Sequence, residues 1–288
     1  MKQIVFISGK GGTGKSTIVA SLSLLAQSKI IADCDVDAPN LHLLLKGKRI
    51  QEEDYFGAEH AVIDSTVCIS CGLCTKVCRF GAISKVIEVL PLKCEGCGAC
   101  VLTCPVNAIS LMKQKTGETY VDSTTRGTFS HALLDIGAEG SGKLVTEVKE
   151  NLFGFADGEN WAFVDGAPGI GCSVIASITG ADAVVVVCEP TQSGKSDMER
   201  VLGVARHFGI SAFVCINKYD LNLRVTSAIE FFCEKTGIPV IGKISYEPKI
   251  VKALQALQTP VEAGLTTVVR EIERLWNRLK TELTMRKQ

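Results

Sequence analysis

A glycine-rich loop between a strand-like run and a helix-like run constrains the fold of this chain most strongly. Residues 3–8 are mostly apolar, the loop SGKGGTGKST occupies residues 8–17, and residues 15–28 have helical character. Glycines allow backbone N–H groups to turn inward around phosphate oxygens, and the N-terminus of the following helix adds partial positive charge. The sequence therefore predicts a phosphate-binding loop between the first strand and the first helix.

The residue types within this loop indicate a nucleoside triphosphate bound with Mg²⁺. The ammonium group of Lys15 is expected to reach the β- and γ-phosphates, and the hydroxyl of Ser16 is expected to ligate Mg²⁺. The nucleotide-binding residues predicted in the loop are Gly11, Gly12, Thr13, Gly14, Lys15, Ser16 and Thr17.

Strand-like and helix-like segments alternate along most of the chain. Buried strands are predicted at 162–164, 183–187, 212–216 and 240–244, and helices at 194–208 and 223–236. This alternation indicates an α/β fold with a doubly wound, mostly parallel sheet. Only 6% of the residues are aromatic while 46% are hydrophobic, so the apolar content is mostly the aliphatic type that such a sheet buries.

Charge and hydropathy exclude several classes of partner. The formal net charge is zero, which argues against nucleic acid as the main partner, because phosphate backbones require a basic footprint. No apolar stretch is long enough to cross a bilayer, and Met1 leads straight into a strand-like run. We therefore expect a cytoplasmic protein without a membrane partner.

Eight of the thirteen cysteines form an internal repeat between residues 68 and 104. Each half has the spacing C-x₂-C-x₂-C-x₃-C, which is the bacterial ferredoxin pattern, and in that pattern the fourth cysteine binds the other cluster. Two [4Fe–4S] clusters are therefore predicted. Their ligands would be Cys68, Cys71, Cys74 and Cys104 for the first cluster, and Cys94, Cys97, Cys100 and Cys78 for the second.

The cysteine repeat also predicts the domain organisation. A ferredoxin-like α+β domain is expected at 58–113, inserted into a discontinuous nucleotide-binding domain formed by 1–57 and 114–288. Zinc is the competing interpretation of clustered cysteines, although zinc sites usually pair two C-x₂₋₄-C units over a longer gap.

The phosphate loop resembles the Walker A motif of the ParA/MinD family of P-loop ATPases, Lys-Gly-Gly-x-Gly-Lys-Ser/Thr-Ser/Thr. The distinctive residue is Lys10, directly after Gly9. In that family the early lysine reaches across an ATP-bound dimer to the phosphates of the partner subunit. The resemblance therefore implies an ATP-dependent homodimer and a slow, Mg²⁺-dependent ATPase, with Lys10 and Lys15 among its catalytic residues.

Two aspartate-containing segments fit the same resemblance. The segment 33–37, DCDVD, resembles the family's switch I, and 163–169, FVDGAPG, resembles its Walker B and switch II. By that match Asp35 would position the attacking water as a third catalytic residue. Asp165 would hold Mg²⁺ through water, and Asp33 would contact the Mg²⁺ shell.

The base-recognition segment leaves two nucleotides open. Asn217 opens the sequence Asn-Lys-Tyr-Asp after a predicted strand. An asparagine reads adenine at this point in the ParA/MinD family, whereas Asn-Lys-x-Asp reads guanine in GTPases. The ParA-like loop favours ATP.

Three further segments have simple structural interpretations. Cys34, Cys172, Cys188, Cys215 and Cys233 are expected to be small buried residues. Cys172 matches a cluster ligand of the nitrogenase iron protein, but a second ligand is missing, so no dimer-bridging cluster is expected. The segment 140–143 is expected to start a helix rather than to bind phosphate. Residues 265–283 are expected to form a helix that packs on the core, and the alternative is a MinD-like amphipathic helix that contacts a membrane.

The combined pattern resembles MinD-superfamily ATPases with an inserted ferredoxin domain. Our leading interpretation is an ATPase that couples its nucleotide state to iron–sulfur electron transfer or to metallocofactor assembly, with a partner protein in one of those processes. The insert is expected to follow switch I directly. The alternative is a positioning or scaffold ATPase whose clusters are structural.

Overall fold

The computed structural model describes residues 1–285, and this part of the chain divides into two compact units. The first, named the sheet unit, comprises Met1–Glu53, Thr119–Leu134 and the described residues from Glu139 onwards. The second, named the cysteine unit, comprises Asp54–Glu118 and Asp135–Ala138. Residues 58–113, predicted as the insert, lie within the cysteine unit.

The strands occupy both units. In chain order they are β1 (Lys2–Ser8), β2 (Lys29–Asp33), β3 (Gly47–Tyr55), β4 (Ala58–Ile63), β5 (Ile109–Gln114), β6 (Gly117–Thr124), β7 (Gly127–Leu134), β8 (Trp161–Pro168), β9 (Ala183–Cys188), β10 (Ser211–Asn217) and β11 (Val240–Ile244). Within the described residues, nine of them form one sheet in the order β11-β10-β9-β1-β8-β2-β7-β6-β3. The pairs from β11 across to β7 are parallel. The predicted α/β fold with a mostly parallel sheet is confirmed.

The helices mostly connect these strands. They are α1 (Lys15–Leu25), α2 (Leu41–Leu44), α3 (Leu73–Val77), α4 (Ala99–Thr103), α5 (Gly142–Gly154), α6 (Cys172–Ile178), α7 (Gln192–His207), α8 (Leu223–Thr236), α9 (Lys249–Gln255) and α10 (Thr266–Met285). The predicted first helix ends three residues early, at Leu25. Ala26 is extended with ψ 141° and Ser28 has φ 52°, so the chain turns towards β2 there.

The centre of the sheet is apolar on both faces because helices cover both sides. All six residues of β9, AVVVVC, are buried, as are Ile4 to Ser8 of β1. Parallel strands covered on both faces are expected to be continuous aliphatic runs, as these are. Since the carboxyl ends of parallel strands meet at one edge, β1, β2, β8 and β9 deliver the residues that follow them to the same place.

The C-terminal helix α10 packs on this core through one face. Its buried residues are Val268, Ile272, Leu275, Trp276, Leu279 and Leu283. The Trp276 ring meets the rings of Trp161 and Phe163 edge to face, with centroids 4.9 and 5.4 Å apart. The predicted core-packing role of this helix is therefore confirmed. Along residues 1–285, no helix has the length and apolar character needed to span a membrane.

The cysteine unit repeats one small motif. β4 and β5 pair antiparallel from Ala58↔Gln114 to Ile63↔Ile109. The helices α3 and α4 begin after Gly72 and Gly98, whose φ angles are 73° and 74°, so both halves enter their helix in the same left-handed conformation. A glycine suits this position because a side chain would be strained there. The internal repeat seen in the sequence is therefore a repeat of backbone geometry as well.

The segment between switch I and the cysteine unit contains two elements that were not predicted, α2 and most of β3. The expectation that the insert directly follows switch I was therefore wrong. Seven of the nine residues of β3 are exposed, and β3 forms one edge of the sheet. A solvated edge strand rich in charged residues carries little periodic signal, which explains why it was missed.

A cluster of polar and aromatic side chains connects α2 to the strands β3, β6 and β7. The His131 ring in β7 is stacked between those of Phe129 and His42. Its Nε2 lies 3.1 Å from Asp122 Oδ2, and Asp122 Oδ1 accepts the Arg49 Nε–H at 2.6 Å. Burial lowers the pKa of His131 to about 4, despite the opposing effect of Asp122.

The low pKa of His131 predicts a loss of stability in acid. His131 binds a proton near pH 6.5 in the unfolded chain but only near pH 4 in the folded chain. The free energy of unfolding should therefore decrease as the pH is lowered from 6.5 to 4. From pH 7 to pH 5 this residue should contribute a loss of about 2 kcal/mol. Urea unfolding of wild type and His131→Gln at both pH values measures it. The glutamine can still donate to Asp122 but does not titrate, so an identical pH dependence in both proteins would contradict the assignment.

Candidate functional site

The glycine-rich loop closes tightly against the end of β10. Gly12 and Gly14 have φ angles of 79° and 89°, and α1 begins directly after Gly14. A Cβ atom on Gly14 would lie 2.3 Å from Asn217 Nδ2, so only glycine fits there. The same amide group donates to the Thr13 carbonyl at 2.7 Å. The loop and the predicted base-recognition residue therefore form one rigid piece.

The loop opens onto a cavity of about 920 Å³. The cavity wall includes the predicted catalytic residue Asp35 and every predicted nucleotide-binding residue, namely Gly11, Gly12, Thr13, Gly14, Lys15, Ser16, Thr17 and Asn217. Further along, the wall becomes apolar, with Ile250 and Leu254 from α9 and Val268 and Ile272 from α10. A cavity with phosphate-binding residues at one end and apolar residues at the other suits a ligand with a charged and a flat apolar part.

Lys15 is neutralised by two carboxylates at the inner end of the cavity. Its Nζ lies 2.5 Å from Asp165 Oδ1 and 3.8 Å from Asp35 Oδ2, and its side chain is only 5% exposed. Burial by itself would lower the pKa of Lys15, but the attraction of Asp165 and Asp35 outweighs it and raises the pKa. Lys15 is therefore a fixed cation.

Two buried polar atoms at this end have no hydrogen-bond partner among the described residues, Thr13 Oγ1 and Asp165 Oδ2. Buried polar groups are nearly always paired with protein, water or a ligand. Because Thr13 lines the cavity and Asp165 holds Lys15 there, these atoms point to a ligand with a polar group and a cation at this site.

Asp33 organises the loop that carries Asp35. Its carboxylate is fully buried and accepts backbone N–H groups from Asp35, Asn40 and Leu41 at 3.0–3.2 Å. Burial raises the pKa of Asp33 to about 8, and the neighbouring Asp165, its register partner on β8, raises it as well. Asp33 is not part of the cavity wall, so a contact with the Mg²⁺ shell stays a prediction.

Only part of the base-recognition segment lines the cavity. Asn217 and Lys218 line the cavity. Asp220 does not, and its Oδ1 instead accepts the backbone N–H of Tyr246 at 2.7 Å. The carboxylate that would read guanine in an Asn-Lys-x-Asp motif is therefore engaged in connecting two loops.

Lys10 lies outside the cavity wall of its own chain. Its side chain is 37% exposed, and its Nζ is 3.6 Å from Glu189 Oε2. The other oxygen of Glu189 accepts from Lys218 Nζ at 2.5 Å. Glu189 was not predicted as a site residue, although a carboxylate one residue beyond the end of a central parallel strand is a signal for one.

Cys172 corrects one expectation, because it is exposed rather than buried. It is the first residue of α6 and lines the cavity. Hydrogen bonds from the Gly142 backbone N–H and from Ser173 lower its pKa. Its apolar neighbours in the sequence were misleading, since it starts the helix at the sheet edge. Cys34, Cys188, Cys215 and Cys233 are buried, as expected.

Ser141 caps α5, which confirms the helix start at 140–143.

The cysteine unit brings the two runs of cysteines together. A small cavity is lined by Cys78 from the first run and by Cys94, Cys97 and Cys100 from the second, closed by Ala61, Ile83 and Leu111. Backbone N–H groups donate to three sulfur atoms, at Cys78 from Ala82, at Cys94 from Ala61 and at Cys104 from Ala108. Cys74 and Cys104 share the unit's small core, whereas Cys71 is exposed. In residues 1–285, no three His, Cys, Asp or Glu side chains are arranged to hold a single metal ion.

A family model for the CobQ/CobB/MinD/ParA nucleotide binding domain matches residues 4–261. The chain belongs to this family. It is 36% identical over 225 residues to the uncharacterized protein MJ0578 of Methanocaldococcus jannaschii, covering 76% of this chain and 79% of that protein. It is 31% identical over 228 residues to MJ0579 of the same organism, covering 77% and 82%. The family assignment confirms the resemblance to ParA/MinD ATPases and supports nucleotide binding and hydrolysis in general.

Solved structures with the same fold are cell-division and related ATPases. MinD in the MinC:MinD complex of Aquifex aeolicus has a TM-score of 0.58 at 18% identity, covering 98% of this chain and 96% of that one. McdA of Cyanothece gives 0.59 at 16%, covering 97% and 99%. MinD of Pyrococcus horikoshii with Mg-ADP gives 0.57 at 18%, covering 95% and 93%. These similarities concern the fold alone.

The buried position of Lys15 predicts a sharp difference between two lysines. Lys15→Ala should abolish measurable ATP binding, because it removes the fixed cation and leaves Asp165 buried without a partner. Lys143→Ala should bind ATP like wild type, since Lys143 is exposed and follows a helix cap. Equilibrium binding of a fluorescent ATP analogue measures both, with circular dichroism to confirm folding. Equal losses in the two variants would contradict the assignment of the phosphate site.

Proposed function

We propose that this chain is a Mg-ATP-dependent ATPase that dimerizes around bound nucleotide and acts as a nucleotide-controlled scaffold for a partner protein. The observation that carries the proposal is the contact of Lys15, which lines the cavity, with Asp35 and Asp165, in a member of the MinD/ParA family. The partner is supported by analogy alone, since one similar structure is a complex of MinD with MinC.

The geometry supports a simple exchange when ATP binds. Lys15 would release Asp165 and turn to the β- and γ-phosphates, and Asp165 would then need a new positive partner. Ser16 and Asp165 are the residues that would hold Mg²⁺, which neutralises phosphate charge when bound. Asp35 lies 3.8 Å from Lys15 and would position the attacking water. Burial raises the pKa of Asp35, against the opposing effect of Lys15, and this makes its carboxylate a better acceptor for a water proton.

Adenine is the base that the site favours. Asn217 is in the cavity wall with its amide fixed on Thr13, whereas Asp220 is outside the wall and paired with the Tyr246 N–H. A guanine site needs a free carboxylate for the base N–H groups. The engaged Asp220 therefore supports ATP over GTP.

Dimerization is supported by the position of Lys10. It belongs to the phosphate loop but not to the cavity wall of its own chain, and it is partly exposed. A lysine so placed can serve the nucleotide of a second copy. Two nucleotides facing each other carry many negative charges, and a lysine from each protomer would offset that repulsion.

Two variants separate dimerization from hydrolysis. Lys10→Ala should bind ATP but stay monomeric, because it removes only the bridging cation. Asp35→Ala should bind ATP, slow its hydrolysis by about 100-fold or more, and form a persistent dimer, because nucleotide is trapped. Size-exclusion chromatography with light scattering and a phosphate-release assay measure these outcomes. An ATP-dependent dimer of wild-type strength in Lys10→Ala would refute the bridging role.

For the cysteine unit we propose two [4Fe–4S] clusters bound by the crossed ligand sets. The support is the cavity shared by Cys78, Cys94, Cys97 and Cys100, together with backbone N–H groups aimed at sulfur, which suit thiolate ligands of a cluster. Such clusters exchange single electrons when bound. They also hold together a unit whose own apolar core is small.

The ligand sets predict the iron content. Anaerobically purified protein should contain about eight iron and eight sulfide per chain. Cys78→Ser should lose about half of the iron, because Cys78 belongs to one cavity only, and Cys172→Ser should lose none. Iron and acid-labile sulfide analysis measures both, and mass spectrometry tests for zinc. Stoichiometric zinc, or full iron in Cys78→Ser, would contradict the crossed arrangement.

Electron transfer coupled to nucleotide state is the second candidate function. The N–H groups on the sulfurs of Cys78, Cys94 and Cys104 favour it, because such hydrogen bonds set cluster potentials. A redox titration with and without ATP separates the two candidates. Potentials that shift with ATP support coupling to a redox or cluster-assembly partner, and potentials that do not shift support structural clusters.

A further inference from the structure

Glu189 holds the two lysines nearest the mouth of the phosphate loop. It follows the last residue of β9, and its side chain is 16% exposed. One carboxylate oxygen lies 3.6 Å from Lys10 Nζ and the other 2.5 Å from Lys218 Nζ. One carboxylate therefore pairs with two cations from two different loops.

The backbone around Glu189 is tightly packed, whereas the Lys10 side chain is partly exposed. The Glu189 carbonyl accepts the Thr191 N–H at 2.8 Å, and a Cβ atom on Gly194 would lie 2.5 Å from that same oxygen, so the turn into α7 is tightly packed. Lys218 has a left-handed backbone, φ 54°, and its N–H donates to its neighbour Asn217. Lys10 has the longer contact of the two lysines and is the more exposed, so it is the one that can leave.

We propose that Glu189 is a positioning residue that retains Lys10 on its own protomer and so sets the protein concentration at which two ATP-bound protomers associate. The inference rests on the proposed dimer. Lys10 cannot bridge to a partner's phosphates while it is paired with Glu189, and each dimer requires two such releases. Lys218 occupies the other carboxylate oxygen, which keeps the hold on Lys10 weak enough for ATP to break.

The expected effect is moderate because the pair is partly exposed. Such ion pairs change an equilibrium by about twofold on average, and two releases per dimer multiply to about fourfold. Glu189→Gln should therefore dimerize at about one quarter of the protein concentration that wild type needs at saturating ATP. Glu199→Gln is the matched control, since Glu199 lies on α7 and pairs with Lys195 rather than with Lys10.

A second readout follows Lys10 directly. Amine labelling of the protein without ATP, resolved by mass spectrometry, should show faster modification of Lys10 in Glu189→Gln than in wild type, with Glu199→Gln unchanged. Glu189→Asp keeps the charge on a shorter side chain, so it should release Lys10 in the same direction but less. This variant keeps the inference testable if Glu189→Gln does not fold.

The background variant Lys10→Ala distinguishes the possible failures. If Lys10→Ala dimerizes like wild type, the proposed function fails. If it does not dimerize but Glu189→Gln and Glu189→Asp leave both dimerization and Lys10 labelling unchanged, only the role of Glu189 fails. If Glu189→Gln raises ATP affinity equally with and without Lys10, its charge acts on the phosphates directly and the inference is overturned.

Discussion

The buried contact between Lys15 and Asp165 is the interaction on which the rest of the site depends. It lies where β1, β8 and β2 end, and both side chains are almost fully shielded from water. Leaving either charge there without a partner would cost about 3–5 kcal/mol. A phosphate that draws Lys15 away would therefore leave Asp165 in need of another cation, which supports the proposal that nucleotide and Mg²⁺ bind together.

The order of strands explains why these charges meet. Asp33 and Asp165 are direct register partners on β2 and β8, and β1 pairs with β8 on its other side. Burial raises the pKa of Asp33, the neighbouring Asp165 raises it further, and the backbone N–H groups of Asn40 and Leu41 donate to Asp33 Oδ2. Asp33 thus shapes the loop before Asn40, whereas Asp165 remains available to the ligand.

The two units have hydrophobic cores of very different size and are therefore stabilised in different ways. The sheet unit buries continuous aliphatic strands under helices on both faces, and its core extends into α10. The cysteine unit has a core of a few residues, among them Cys74 and Cys100. A unit of that size usually needs a metal or disulfides to remain folded, and its sulfur-directed N–H groups fit the first solution. A stabilising role for clusters is therefore independent of any electron transfer.

Local sequence patterns were enough to predict the phosphate loop, the strands of the parallel sheet and the buried face of the C-terminal helix. Each of these patterns is formed by residues only a few positions apart in the chain. They were also enough for the repeat in the cysteine unit, where spacing and glycine positions act locally. What only the tertiary structure decided are contacts between distant loops. Examples are Asp220 turned to Tyr246, Cys172 exposed at the start of α6, and Glu189 between Lys10 and Lys218. The physical reason is that parallel strands bring together residues far apart in the chain, and the sequence pattern of each strand does not state its neighbours.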